Sequence, residues 1–305
     1  MPSTSSPDTL AACVASTARA LEQAGVHYGH GTTCAQDEAA WLVLHAAGLP
    51  LDTDLQGPDG RQPLPPAQLA QVAALLQARI TTRKPLAYLI RQAWLQGVPF
   101  YVDERAIIPR SLIAEALADG SIDPWLPEHT QRVLDLCTGN GSLAVLAALA
   151  WPEVQTDAAD ISPDALAVAR INVQQHGLHT RIRLLESDGL AQCPGPYDLI
   201  LCNPPYVNTA SMATLPPEYQ AEPALALAGG TDGMDFVRTL LRQAPAHMCA
   251  HGVLVLEIGH ERAHFEAAFG HLNPVWLPTS AGSDQVLLLT REALWPQPSH
   301  PGQPT

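Results

Sequence analysis

The chain has a single lysine, Lys84, and its formal charge of −14 is spread over 305 residues without any extended basic run. Arg79, Arg83, Lys84 and Arg91 come nearest to a basic cluster. Duplex nucleic acid is bound by neutralising phosphates with Lys and Arg, so stable nucleic-acid binding is not expected. Long apolar runs are also missing. Leu143 to Trp151, the longest uncharged apolar stretch, has nine residues, far short of a membrane span. Met1 to Asp8 offers neither a basic start nor an apolar core, so no secretory signal is visible. The six cysteines form no C-x-x-C pair, which fits a reducing cytoplasm better than a disulfide framework. Among twelve histidines, His260 and His264 share a helical face but lack a third ligand or a thiolate, and no metal site is expected.

Against these absences stands Asn203-Pro204-Pro205-Tyr206, directly after the apolar run Tyr197 to Cys202. The run reads as a buried strand of a parallel sheet, and two prolines cannot continue it because neither donates a ladder hydrogen bond. The chain must turn at the strand's carboxyl end, where open α/β sheets bind ligands. Asn203 brings a side-chain acceptor and two donors, and the carbonyls of Pro204 and Pro205 are acceptors free of sheet pairing. A planar –NH₂ group could donate to two such acceptors while lying against the Tyr206 ring, its nitrogen presented to an electrophile beyond. The motif has no strong base, so the chemistry it suits is transfer to nitrogen by positioning and electrostatics. The plainer reading is a strand-ending Asn, a Pro-Pro turn and an interfacial Tyr.

A second element points to the same sheet edge. Arg132 to Cys137 reads as a strand, Thr138-Gly139-Asn140-Gly141-Ser142 as a tight turn and Leu143 to Trp151 as a helix. That arrangement suits a nucleotide cofactor: the glycines permit close backbone approach and the helix start has free N–H groups. Asp160 follows twenty-one positions after Gly139, at the end of the next strand (Val154 to Ala159), where a carboxylate can accept from ribose hydroxyls. Ser162-Pro163 opens a helix that Gly177 stops, and a third strand, Arg181 to Glu186, ends at Ser187-Asp188. Asp135, Asp160, Asp188 and Asn203 thus end four successive strands. Carboxylates suit hydroxyls, an amino group and a sulfonium. A pyrophosphate would want Arg or Lys, and Val133 to Asp164 contains neither.

The segments Asp135 to Gly141, Asp160 to Leu166 and Asn203 to Tyr206 resemble the class I S-adenosylmethionine-dependent methyltransferases that modify the side-chain amide of protein glutamine. Of that family's two bacterial branches, one acts on peptide release factors and the other on the third protein of the large ribosomal subunit. Arg83 to Ile90, Phe100 to Arg105, Ile108 to Ser111 and Leu215-Pro216-Pro217-Glu218-Tyr219 resemble the ribosomal-protein branch, and the likeness runs from about Leu64 to Thr290.

The resemblance implies a class I, Rossmann-like α/β fold with a mostly parallel seven-stranded sheet, an antiparallel last strand, and S-adenosylmethionine as cofactor. It implies cofactor contacts from Asp135, Cys137, Thr138, Gly139, Asn140, Gly141, Asp160, Ile161, Asp188 and Asn203. Asp135 would lie beneath the methionine amino group, Asp160 would hold the ribose and Asp188 would lie near the adenine. Asn203, Pro204, Pro205 and Tyr206 would form the catalytic corner, with Phe100 and Arg110 as further candidate active-site residues. Asn140, where the family usually has Ser or Thr, and Leu112, in place of a proline, depart from the pattern. Neither removes a group that the chemistry needs.

The expected function is methylation of glutamine N5 in a large-subunit ribosomal protein, a basic partner that an acidic surface complements. Alternatives are release-factor methylation, amino-methylation of a nucleic-acid base, and a cofactor-binding module without activity. Thr9 to Gly25, Ala35 to Ala47 and Pro66 to Thr81 have helical spacing, so residues 1–91 are expected to form a helical substrate-recognition domain. Residues 92–110 read as a hairpin linker, 111–294 as the methyltransferase domain and 295–305 as a disordered tail.

Overall fold

A computed structural model describes residues 9–295; the expectations for residues 1–8 and 296–305 lie outside it. Four helices come first: α1 (Leu10–Ala24), α2 (Ala35–Ala47), α3 (Pro66–Thr82) and α4 (Leu86–Ile90). Thr9 caps α1 by accepting from the Ala12 N–H, Gly25 closes it in the left-handed region, and Pro66 opens α3 where a missing N–H costs nothing. Leu10, Val14, Leu21, Leu42, Leu44 and Leu86 form the core of this layer.

The linker is shorter than the expected hairpin. Strands β1 (Ala93–Leu95) and β2 (Val98–Phe100) pair antiparallel, Ala93 opposite Phe100, and residues 101–110 are irregular. This stretch joins the two parts by packing into both. Val102 and Ile108 enter the helical core, while Phe100 enters the core beneath the sheet.

The second part runs α5 (Ile113–Ala118), β3 (Arg132–Leu136), α6 (Ser142–Ala150), β4 (Gln155–Asp160), α7 (Pro163–Gln175), β5 (Ile182–Glu186) and β6 (Tyr197–Cys202). There follow α8 (Thr209–Met212), α9 (Pro217–Gln220), α10 (Asp235–His247), β7 (Met248–Glu257), α11 (Arg262–Phe269), β8 (Val275–Thr279), β9 (Gly282–Thr290) and α12 (Arg291–Leu294). The seven-stranded sheet has the order β5-β4-β3-β6-β7-β9-β8; β3 to β7 are parallel, and β9 runs antiparallel to both its neighbours. Apolar clusters cover both faces, which is why β3 and β6 read as nearly continuous hydrophobic runs.

Strand order reverses at β3, whose two neighbours β4 and β6 are reached by crossovers in opposite directions. Such a switch point opens a crevice at the carboxyl ends of the strands. Leu136 lies in register with Cys202, so the residues that follow, Cys137 and Asn203, leave the sheet side by side.

Three sequence expectations need correction. Strand β8 was not anticipated: it is a partly exposed edge strand containing Pro278, a residue tolerated only where no inward ladder bond is needed. Strand β7 begins at Met248, ahead of the apolar run after Gly252 from which the sequence alone reads a strand over Gly252 to Ile258. Trp295, assigned to a disordered tail, instead follows α12 with its ring 4.3 Å from the Arg291 guanidinium, an arrangement that favours cation–π attraction.

Candidate active site

A cavity of about 390 Å³ opens at the carboxyl ends of β3, β4, β5 and β6. Thr138, Gly139, Asp160, Ile161, Asp188 and Asn203 are on its wall, so the glycine turn and the proline corner share one space.

The glycine turn is laced to the neighbouring strand. Thr138 N–H donates to the Ala159 carbonyl at 3.0 Å, and Gly139 N–H to Asp160 Oδ2 at 2.8 Å. Asp160 Oδ1 accepts from Ser162 N–H at 2.9 Å. Burial raises the Asp160 carboxyl's pKa and these backbone donors oppose the shift. Each oxygen keeps a lone pair with which to accept from a hydroxyl. Gly139 and Gly141 both have positive φ, 55° and 81°, but only Gly139 lines the cavity. A Cβ on Gly141 would sit 3.1 Å from Ala169 Cβ, so this glycine lets α6 pack on α7 and does not face a ligand.

Asp135 is also behind the wall. Its Oδ2 accepts from Thr138 Oγ1 at 2.5 Å and from Ala144 N–H at 2.9 Å, while Oδ1 has no protein partner among the described residues. Burial pushes its carboxyl up to about 7 against those two hydrogen bonds. Asn140 is buried, with its Nδ2 unpartnered among the described residues. Cys137 lines the cavity, and the neighbouring Cys202 thiol together with burial raises its pKa well above normal, which keeps it a neutral thiol and no nucleophile.

At the other wall, no described residue donates a hydrogen bond to the Asn203 side chain or to the carbonyls of Pro204 and Pro205. Tyr206 is fixed on two sides. Its hydroxyl donates to Glu257 Oε1 at 3.2 Å, and its ring fills the space left by Gly259, where a Cβ would lie 2.4 Å from a ring carbon. Burial, then the Glu257 carboxylate, raises the phenol's pKa, so Tyr206 stays protonated and donating.

Arg110 reaches the cavity but is not free. It clamps Glu222 with both terminal nitrogens, at 2.6 and 2.7 Å. Burial pushes the Glu222 carboxyl up, yet Arg110 and His30 outweigh it and hold it at about 2. Phe100 does not belong to the site: it is buried in the sheet core, its ring 5.5 Å from His176. Sequence reasoning missed Ile107, Tyr219 and Leu225 on the wall, and Glu257 and Gly259 behind Tyr206. Tyr219 stands in a stretch that carries the family resemblance, and Leu225 in the loop 222–233, which the sequence reads as either a substrate lid near the proline corner or an ordinary turn.

The donor set fits a cationic, hydroxyl-bearing cofactor. Asp135 Oδ1 is an orphaned buried acceptor, Asp160 has spare acceptor capacity, and Ile161, 49% exposed on the wall, offers an apolar surface to a flat ring. The two arginines at the cavity are engaged, Arg105 by Asp103 and Arg110 by Glu222, so among the described residues the wall has no unpaired Arg or Lys to bind a pyrophosphate.

Comparison with known proteins points to a methyltransferase. Residues 121–216 match the family model described as "Methyltransferase small domain". The chain is 54% identical to the ribosomal protein uL3 glutamine methyltransferase of Bordetella pertussis, over 90% of this chain and 92% of the relative. It is 52% identical to that of Burkholderia pseudomallei, over 88% and 90%. Among solved structures, the hMettl16 catalytic domain aligns with a TM-score of 0.50 and 13% identity, over 73% of this chain and 80% of that one, a likeness of fold alone.

Proposed function

The chain belongs to the family of ribosomal protein uL3 glutamine methyltransferases, and we propose that it methylates the side-chain amide nitrogen, N5, of a glutamine in uL3. S-adenosylmethionine would be held by Cys137, Thr138, Gly139, Asn140, Asp160, Ile161 and Asp188, with Asp135 behind them and Asn203 between cofactor and acceptor. When bound it supplies a methyl group on a sulfonium, a good leaving group.

The protein's own part is positioning. An amide nitrogen is a poor nucleophile because its lone pair is delocalised. Asn203 Oδ1 and the Pro204 carbonyl would accept hydrogen bonds from its two N–H groups, which raises electron density on nitrogen and opposes rotation away from the methyl carbon. Positive charge grows on that nitrogen during transfer, so the acceptors bind the transition state better than the ground state. Tyr206 would flank the amide, and the surplus proton leaves to water. Alignment of this kind is worth up to ~7–11 kcal/mol in intramolecular models.

The observation that carries the reading is the unengaged acceptor set of Asn203, Pro204 and Pro205 on the wall of the cavity that also holds the glycine turn. Against a nucleic-acid substrate, three of the four residues of the nearest basic cluster are already paired: Arg79 and Arg83 with Glu218, Lys84 with Glu104. Among the described residues no helix is long and apolar enough to cross a membrane. A ribosomal substrate supports a cytoplasmic location for the proposed reaction. The helical layer, residues 9–91 of the described chain, is the proposed recognition domain.

The test is incubation with methyl-labelled cofactor and separated undermethylated large-subunit proteins, release factors and DNA. Label confined to uL3 is expected. Label in release factor or DNA and none in uL3 would assign the protein to another substrate class.

A further inference from the structure

The segment Leu215 to Tyr219 has no part in the scheme above, yet two buried carboxylates fix it in place. Glu218 accepts from Arg79 Nη1 at 3.1 Å, Arg83 Nε at 2.8 Å and His27 N–H at 2.9 Å, all from the helical layer. Glu222 accepts from Arg110, as described, and from Ile108 N–H at 3.0 Å, and it lies 3.5 Å from His30 Nε2. Neither carboxylate side chain has exposed surface.

Between them, Tyr219 lines the cavity. Its ring centroid is 4.3 Å from that of His30 and 5.4 Å from the Arg110 guanidinium. Gly29 leaves the space its hydroxyl fills, since a Cβ there would lie 2.5 Å from that oxygen. The tyrosine is therefore braced by the helical layer, as Tyr206 is braced by the sheet through Glu257. Two aromatic rings on one cavity suit an acceptor whose planar amide sits at the end of a short methylene chain.

We infer that Tyr219 is a positioning residue for the acceptor: it forms a second aromatic wall of the amide slot, supports the glutamine's methylene chain, and is held there by the helical layer through Gly29, Glu218 and Glu222. This rests on glutamine in uL3 being the acceptor. It gives the helical layer a direct share in shaping the site.

The experiment measures initial rates on unmethylated uL3 for the unaltered enzyme, Tyr219→Ala, Tyr219→Phe, Gly29→Ala and the double variant Gly29→Ala/Tyr219→Phe. Cofactor Kd and Tm are measured alongside. Tyr219→Ala and Gly29→Ala are expected to raise KM for uL3 by about 10–100-fold, the range of a lost apolar contact, with cofactor Kd unchanged. Phenylalanine lacks the oxygen that the Cβ added by Gly29→Ala strikes, so the double variant should recover the KM of Tyr219→Phe. Tm should stay lowered, because alanine is strained at φ +124°. A purely structural role would lower Tm and leave KM alone. Wild-type KM in Gly29→Ala, or a raised KM that phenylalanine does not rescue, overturns the inference, and the Gly29 arm decides even if Tyr219→Ala fails to fold. Failure of the unaltered enzyme to label uL3 overturns the reading beneath it, and the inference with it.

Discussion

Tyr206 and Glu257 meet across the corner between the proline turn and the end of β7, phenol oxygen to carboxylate oxygen at 3.2 Å. The same carboxylate accepts from Ser111 Oγ at 2.6 Å and Leu112 N–H at 2.9 Å, so one buried residue ties the aromatic wall of the site to the start of α5. Burial raises its carboxyl's pKa, and the Ser111, Leu112 and Tyr206 donors oppose that. Glu257→Ala leaves three donors without a partner, at roughly 1–3 kcal/mol for each that stays dry. The expected result in urea titration is a loss of about 2–4 kcal/mol, with Glu257→Gln losing less than half as much because an acceptor oxygen remains. Equal losses in the two variants would show that the isosteric amide restores nothing, so that the carboxylate's charge, and neither its volume nor a single acceptor oxygen, is what Glu257 provides.

Glu218 joins the helical layer to α9, and its removal takes one of two buried carboxylates from Arg79, which is 1% exposed and keeps Glu38 at 2.7 Å. Breaking one side of a buried ion pair typically costs about 3–5 kcal/mol. Because Glu38 still faces Arg79, Glu218→Ala is expected to lose stability at the lower end of that range, read as a lower denaturation midpoint at unchanged slope. A loss below about 1 kcal/mol, the size of a surface pair, would mean that Glu38 alone satisfies Arg79.

Stability should depend on pH with two limbs of opposite sign. Asp135 has its carboxyl raised from 3.8 to about 7, so the fold prefers its protonated form. Its contribution is complete below its unfolded value and is lost as pH rises through about 7. Glu222 is held at about 2 against an ordinary 4.5; its contribution is present above the ordinary value and lost as pH falls through about 2. Denaturation of the cofactor-free protein at a series of pH values should show both limbs, and Asp135→Asn should flatten only the upper one. An unchanged upper limb in that variant would assign it to another group.

The sheet and the ligand-facing edge were legible because their signals are local. Apolar runs such as Tyr197 to Cys202 mark buried strands, and Gly139, Asp160 and Asn203 each lie at or just beyond the end of one, so sequence order alone puts them at one edge. What joins the two parts of the chain was not legible. Glu218 and Glu222 look like loop charges, and their partners lie 139 and 112 residues away. One faint signal existed: Arg79 and Arg83, the only charged residues from Pro66 to Arg83, sit one turn apart. Gly141 and Phe100 were misassigned for a related reason. A glycine in a ligand loop can serve helix packing, and a residue in a family-like stretch can face the core beside its functional neighbours. Strand β8 was hidden by its proline and by its partly exposed, weakly apolar sequence.

The central claim is that the amide is activated by acceptors, with Asn203 supplying one of them. It is tested most directly by kcat of Asn203→Ala on uL3, with cofactor Kd measured by calorimetry on the same protein. Loss of an aimed polar group of this kind costs about 10²–10³ in rate, and the expected outcome is a fall at least that large with cofactor Kd within about threefold of the unaltered enzyme. A near-normal kcat would contradict the assignment, and so would a rate loss fully accounted for by weakened cofactor binding.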